Sequence, residues 1–423
     1  MPGTVEGHGN RVNTRGRDGV EEATTLGSRV RQGRGWRQLS LRAAAGLAGL
    51  SSSVWAQVER GDKPVANRRT LEAMAGALRV HPSELIGQPW APRDVVSSEA
   101  HAGLIALETA LERYELGVDP EILVRDWPLI ATDLEALAKL MHWNADYAGQ
   151  GELTPALLGE LHGAYVRLPQ HRREVLLGLI TAYSSVMWTT KRLGVRAVPT
   201  LAARAVRQCA EALGDPVWLG YAAYLRGDAT GALDRAAQYR RCVAAAQALT
   251  GQLDDLEAVQ ACGMLHLSAA LAAAAQADHD TAVTHLDEAS ALAARMETEV
   301  GSWADLWFGL TNVGIWRTSL AVELGEYGQA VRAAQAVHPE LVPSTARQAV
   351  FWAELGRALI AEKKTRDKGV RVLLHAEQLA PQRIYHDVFV RETVADLLRQ
   401  ARRDAGGREL RGLAWRLGVT PIG

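Results

Sequence analysis

The segment SLRAAAGLAGLSSSVWAQVERGDKP, from Ser40 to Pro64, leaves the chain less freedom than any other stretch. Ser40 is a good N-cap for a helix running to about Leu47, because its hydroxyl can accept from a free amide of the first turn. Ala48-Gly49 then supplies a tight turn, since glycine accepts the positive φ that ends one helix and re-aims the chain. Ser51 caps a second helix, expected over residues 51–59 and stopped by Gly61. Apolar or small residues fall at Ala44, Ala45, Ala48, Leu50, Trp55 and Val58, which is the spacing that two helices crossing about a turn require. The flanks carry matching stripes. Leu26, Val30 and Gly33 give one helix before the segment an inward face, and Leu71, Met74, Ala75 and Leu78 give one to a helix after it. His81-Pro82-Ser83 opens a last short helix through Leu85 and Ile86. Residues 21–87 are therefore expected to form a five-helix bundle around Trp36 and Trp55. Ala43-Ala44-Ala45-Gly46 is unusually small for such a helix, so Trp55 is expected to fill the space that Ala44 leaves.

The rest of the chain is too long to share that core, since 423 residues exceed what single cores usually support. Residues 1–20 are rich in Gly, Arg and Asn and read as a flexible leader. GQPWAPRDVVSS, ending at Ser98, has the Pro, Gly and Ser content of a linker, placed at residues 88–98. Over residues 99–423 Ala, Leu, Arg and Glu recur at helical periodicity, and no strand is needed. Here a pattern repeats: small residues on one helix, a short turn, then small and large residues spaced three and four apart on the next. One copy has Ala282, Leu286 and Ala289; another has Ala330, Ala334 and Val337; a third has Gly369, Leu373 and Ala376. A weaker copy has Ala205, Cys209 and Ala212. The expected fold class is all-α.

Charge is divided unevenly. Residues 1–90 carry 13 Arg and Lys against 8 Asp and Glu, while the remainder carries 34 against 40, so a basic head precedes an acidic body. Nine of the basic residues lie between Arg29 and Arg69, facing only Glu59 and Asp62, which makes that head a candidate for contact with a polyanion. Glu59 is expected to pair with a neighbouring Arg. No run of about 18 uninterrupted apolar residues occurs, so no membrane partner and a cytoplasmic, nucleoid-associated location are expected. Cys209, Cys242 and Cys262 sit in apolar helical patterns without metal-ligand spacing and read as reduced core residues. His162, His171, His279 and His285 are scattered. No phosphate loop, His-Glu-x-x-His or Gly-x-Ser-x-Gly occurs, so no catalytic residue, metal site, cofactor or enzymatic activity is assigned. The aromatic residues Trp188, Trp218, Tyr221, Tyr224, Trp303, Trp307, Trp316, Trp352 and Tyr385 are expected between helices of the body.

With LSSSVWAQVERGDKPVANRRTLEAMAGALRV in view, the segment from Leu26 to Gly87 resembles the lambda-repressor and Cro type of helix-turn-helix, the xenobiotic-response-element family of regulators. The recurring small and large positions of the body resemble the tetratricopeptide repeat, in which antiparallel helical hairpins stack on their neighbours. Gly87 to Trp90, TNVGIWRTSLAVELGE, APQRIYHDVFVRETVADLLRQARR and GGRELRGLAWRLGV extend the likeness to a group of actinobacterial regulators with both parts. The resemblance implies a five-helix lambda-repressor-like DNA-binding domain followed by a tetratricopeptide-like helical-hairpin array. Its partner would be double-stranded DNA. Base-reading positions fall on Ser52, Ser53 and Gln57, and phosphate contacts on Ser40, Arg60 and Arg69, with Arg42, Lys63 and Arg68 nearby. A recognition helix enters the major groove by its N-terminal half, where Gln can pair with an adenine edge. A domain this small is expected to act as a homodimer, and the body to take a peptide, small-molecule or protein effector, or only to dimerise. The alternative reading is a tetratricopeptide-like interaction scaffold with a vestigial helix-turn-helix.

Overall fold

The computed structural model describes residues 25–87, 95–404 and 407–419. The leader and most of the linker lie outside these residues. Five short helices come first: α1 (Leu26–Trp36), α2 (Leu41–Leu47), α3 (Ser52–Arg60), α4 (Arg68–Leu78) and α5 (Pro82–Ile86). Each has a local cause. Thr25, Ser40, Ser51, Asn67 and His81 cap the five N-termini by accepting from a backbone amide of the first turn. Gly49 at φ 63° and Gly61 at φ 76° make the turns that follow α2 and α3. The core holds Leu26, Val30, Ala44, Ala45, Trp55, Val58, Leu71, Met74, Leu78 and Leu85, with Trp55 wholly buried over the small face of α2. Trp36 does not join it. Its side chain is 72% exposed, because α1 ends there and the chain turns back through Gln38 at φ 51° to bring Leu39 against the core instead.

The body continues with α6 (Val95–Arg113), α7 (Trp127–His142), α8 (Tyr147–Arg167), α9 (Arg172–Arg192), α10 (Val198–Leu213), α11 (Pro216–Thr230), α12 (Arg235–Leu249) and α13 (Leu256–Ala275). It then runs through α14 (His279–Ala293), α15 (Leu310–Glu323), α16 (Tyr327–Ala334), α17 (Thr345–Ala361) and α18 (Arg366–Leu379). The last three are α19 (Pro381–Tyr385), α20 (Val388–Asp404) and α21 (Arg408–Arg416). The chain is all-helical among the described residues.

The body is a helical array in two layers. α7, α9, α11, α13, α15 and α17 form an inner row in which each helix packs on the next, while α8, α10, α12, α14 and α16 lie between them. The row curves until α17 meets α7, so the inner helices make a closed ring. Ser344 Oγ donates to the His142 carbonyl at 2.8 Å across this seam. Beside it the Gln382 side chain accepts from the Tyr147 amide at 2.9 Å and donates to Asp146 Oδ1 at 3.1 Å. α13 is long and apolar enough to cross a membrane, but it is a core helix of the ring, with residues from Ala258 to Ala275 buried on nearly all sides.

The repeat positions are buried as the spacing requires at Ala282, Leu286 and Ala289, at Ala330 and Ala334, and at Gly369, Leu373 and Ala376; Val337 is partly buried. The weakest copy is corrected. In α10 the buried face is Ala202, Val206 and Cys209, and Ala212 is exposed. All three cysteines are free and buried, and burial pushes their thiols up, that of Cys209 to about 12.

Candidate nucleic-acid interface

The reading head begins with how α3 is held. Trp55 Nε1 donates to Glu59 Oε1 at 2.6 Å, one turn along the same helix. Arg34 on α1 donates to both oxygens of that carboxylate, Nε at 2.6 Å and Nη2 at 3.0 Å, and from Nη1 to the Leu39 carbonyl at 3.0 Å. The hydrogen bond to Glu59 raises the Arg34 pKa. Gly27 lets α1 approach α3 closely, since a Cβ there would lie 2.2 Å from the Val58 carbonyl oxygen. Glu59 therefore pairs with an arginine, as its acidity beside basic residues suggested. Arg34 was not singled out in the sequence, although Trp55 and Glu59 four residues apart on one helix face marked half of the cluster.

With its back fixed in this way, α3 presents its first turn outward. Ser51, Ser52 and Ser53 are exposed, Gln57 is partly buried one turn further along, and Ser51 Oγ is engaged by the Val54 amide at 3.2 Å. Ser40, Leu41 and Arg42 at the start of α2 are also exposed, with Ser40 Oγ accepting from the Ala43 amide at 3.2 Å. Arg60 and Lys63 after the glycine stop, and Arg69 at the start of α4, are exposed too. Arg60 forms a surface pair with Asp62 at 2.7 Å, which leaves it free to exchange partners. The helix starts and the cations thus give two exposed N-termini and four exposed basic side chains, an arrangement that favours anions twice over, by partial and by full charge.

Arg68 departs from the expected set. Its Nη1 donates to Glu323 Oε2 at 2.7 Å, and the Glu323 Oε1 accepts from the Arg68 amide at 2.7 Å and the Arg69 amide at 3.3 Å. Burial alone would lower the Arg68 pKa, but Glu323 and then Glu354 raise it. Arg68 is held by the body through a carboxylate at the end of α15, so in this conformation it does not offer its charge to a phosphate. Glu323 is 5% exposed and lies 255 residues from Arg68, so no local pattern could have paired them.

Other contacts seat the head on the body at the same side. Arg235 of α12 grips Glu72 of α4 at 3.0 and 2.5 Å, Arg196 reaches Glu84 at 3.0 Å, and Arg357 of α17 donates to the Ala66 carbonyl. Phe389 of α20 joins the core of the head, with the guanidinium groups of Arg68 and Arg357 at 5.3 and 5.1 Å from its ring centre.

Residues 25–85 match the sequence profile of a family described as a helix-turn-helix domain. No curated protein and no solved structure matches the chain. The five N-terminal helices form a helix-turn-helix domain, followed by an all-helical array.

Proposed function

We propose that the chain is a sequence-specific DNA-binding transcriptional regulator of the xenobiotic-response-element type, whose α3 reads an operator in the major groove. The observation that carries this reading is the exposure of the first turns of α2 and α3 within a domain that matches the helix-turn-helix profile. Ser52, Ser53 and Gln57 meet base edges; Ser40, Arg42, Arg60, Lys63 and Arg69 meet phosphates. The protein acts in the cytoplasm as a homodimer on two half-sites roughly 34 Å apart, and is not an enzyme. Its tetratricopeptide-like body joins the protomers and holds an effector.

Gln57 and Arg69 separate the two kinds of DNA contact. Gln57→Ala costs about 1–3 kcal/mol at one base pair and relaxes preference there, with the salt slope nearly unchanged. Arg69→Ala weakens binding to all duplexes alike and lowers the slope of log affinity against log salt by about 1 per half-site. The measurement is a salt titration of each variant on operator and scrambled duplexes. Equal losses on both duplexes for Gln57→Ala would refute the assignment of α3, and wild-type protein with no salt-dependent DNA affinity would leave the scaffold reading. Light scattering of the full chain on operator DNA tests the dimer, and a monomer there would refute it.

A further inference from the structure

A groove of about 1130 Å³ lies on the body, walled on one side by α6 and the residues that follow it and on the other by α10, with His162 of α8 and Tyr183 of α9 at its floor. Small-molecule sites usually occupy about 300–1000 Å³, so the space is enough for an organic ligand. Gly159 of α8 makes room for Tyr114, since a Cβ there would lie 2.7 Å from the tyrosine oxygen, and the Tyr114 ring stacks on the His162 imidazole with centres 5.7 Å apart. His162 Nδ1 lies 3.1 Å from the Glu115 carbonyl, which can only accept, so this nitrogen carries the proton. Nε2 of the neutral ring then accepts from the Tyr183 hydroxyl at 2.7 Å, and the tyrosine oxygen keeps its own acceptor capacity. Burial lowers the His162 pKa and raises that of Tyr183, so the floor is uncharged at neutral pH.

The walls are charged unevenly. Glu108, Leu111, Glu112 and Glu115 recur at the spacing of one helical face and line the α6 side, while Leu201, Arg204, Ala205 and Gln208 line the α10 side. Glu108, Glu112 and Glu115 are exposed and make no ion pair or side-chain hydrogen bond among the described residues. Glu211, a fourth carboxylate at the groove, is already paired with Arg207 at 2.7 Å. Arg204 is the one arginine or lysine among the described lining residues, and Arg113 nearby lies over the Tyr114 ring, its guanidinium 5.8 Å from the centre. This placement is unfavourable for α6 itself. Like charges four residues apart repel, and Glu112 and Glu115 stand at the C-terminal end of the helix, where its dipole disfavours an anion. The three carboxylates therefore do nothing for the stability of α6, and a bound cation would relieve both costs. Between the charges the surface is apolar: Leu111 and Tyr114 are half-buried on one wall, and Leu201 on the other is 48% exposed.

We propose that this groove binds a lipophilic organic cation, its charge facing Glu108, Glu112 and Glu115 and its apolar body lying on Leu111, Tyr114 and Leu201. Charge complementarity selects the sign, because three unneutralised carboxylates against one guanidinium attract a cation and repel an anion. The lining selects the body. A hydrated inorganic cation would leave Leu111 and Leu201 uncovered, whereas an apolar cation takes that surface out of water. The site identifies the effector of the proposed regulator and rests on that reading for its purpose. The connection between α9 and α10 joins it to the reading head. Val195 and Ala197 line the groove, and Arg196 between them lies 3.0 Å from Glu84 of α5. A ligand that moves this connection moves a contact that seats the DNA-binding domain.

The test uses the full chain without DNA, so its failure is distinct from a failure to bind operator. Tetraphenylphosphonium is the probe, titrated calorimetrically at low salt, with tetraphenylborate as an anion of the same shape. One equivalent of the cation is expected to bind with a dissociation constant below about 0.1 mM. Glu108→Gln, Glu112→Gln and Glu115→Gln combined should weaken binding about tenfold or more, and Leu201→Lys should do the same by placing a like charge on the apolar wall. All four positions are exposed, so both variants keep the fold. Glu297→Gln, at an exposed carboxylate outside the groove, should bind as wild type does. No saturable binding, equal affinity for tetraphenylborate, unchanged binding in either groove variant, or an equal loss in Glu297→Gln would each overturn the assignment. Tighter binding of an oligoarginine peptide than of the cation would give the groove to a protein partner, and dissociation of a dimer as the cation saturates would give it to a second copy; either result also overturns it.

Discussion

Trp55 fills the space above the alanines of α2 and fixes the indole N–H on Glu59, so one side chain serves both the packing and the polar network behind α3. Trp55→Ala opens a core cavity and is expected to destabilise the small domain by about 3–5 kcal/mol. Glu59→Ala leaves a buried indole N–H and the Arg34 guanidinium without their acceptor, at a cost of about 1–3 kcal/mol. Gly27→Ala drives a methyl group toward the Val58 carbonyl and should cost about 1–3 kcal/mol by forcing α1 and α3 apart. Hydrogen exchange of α3 amides checks all three, each variant being expected to exchange faster there than wild type while α13 amides are unchanged. At this scale the sequence was informative where the signal was local. Caps, glycine stops and the burial of Trp55 follow from neighbours within a turn or two. Trp36 was misplaced because periodicity continued a stripe past the point where Arg37 and Gln38 turn the chain away. The Glu323 partner of Arg68 was not legible because it is remote in the chain.

Among elements, the seam of α12, α13 and α14 carries a second titratable cluster. His266 Nδ1 and His285 Nδ1 lie 2.9 Å apart, and His285 Nε2 meets Tyr239 Oη at 3.1 Å, with Glu288 also acting on both imidazoles. Burial lowers both histidine pKa values from 6.5, and the charge of His285 lowers His266 further. The unfolded chain therefore binds protons more readily than the folded one. Stability conferred by this pair is present above pH 6.5 and is lost as pH falls below it toward the lower folded values. Thermal unfolding between pH 7.5 and 5 should show a falling Tm in wild type and a shallower fall in His266→Asn; equal slopes would show that the pair is inert. The helices of this seam were legible from alanine and leucine spacing, but in α10 alanines occupy both faces, and only the larger Val206 and Cys209 distinguish the buried one.

On the scale of the whole molecule, the head is seated mainly through charge. Glu323 accepts two amides and a guanidinium from α4, and Arg235 and Arg357 add further polar contacts. Glu323→Ala leaves a partly exposed Arg68 and the two amides without this acceptor, and should loosen the seating by about 1–3 kcal/mol. The amides of Arg68 and Arg69 should then exchange faster while those of α3 keep their wild-type rates; unchanged exchange at both would show that the head does not depend on this contact. Sequence alone separated head from body by composition and charge, yet said nothing of how one sits on the other, since the partners are far apart in the chain. The closed seam between α7 and α17 has its own consequence. An open stack of helical hairpins has two terminal units, each lacking a neighbour, from which it can fray inward. Here the inner row has neither a first nor a last member. Unravelling cannot start from an end and must begin with a breach, so the body should melt as one cooperative block, and new termini placed in a surface connection between two outer helices should cost it little.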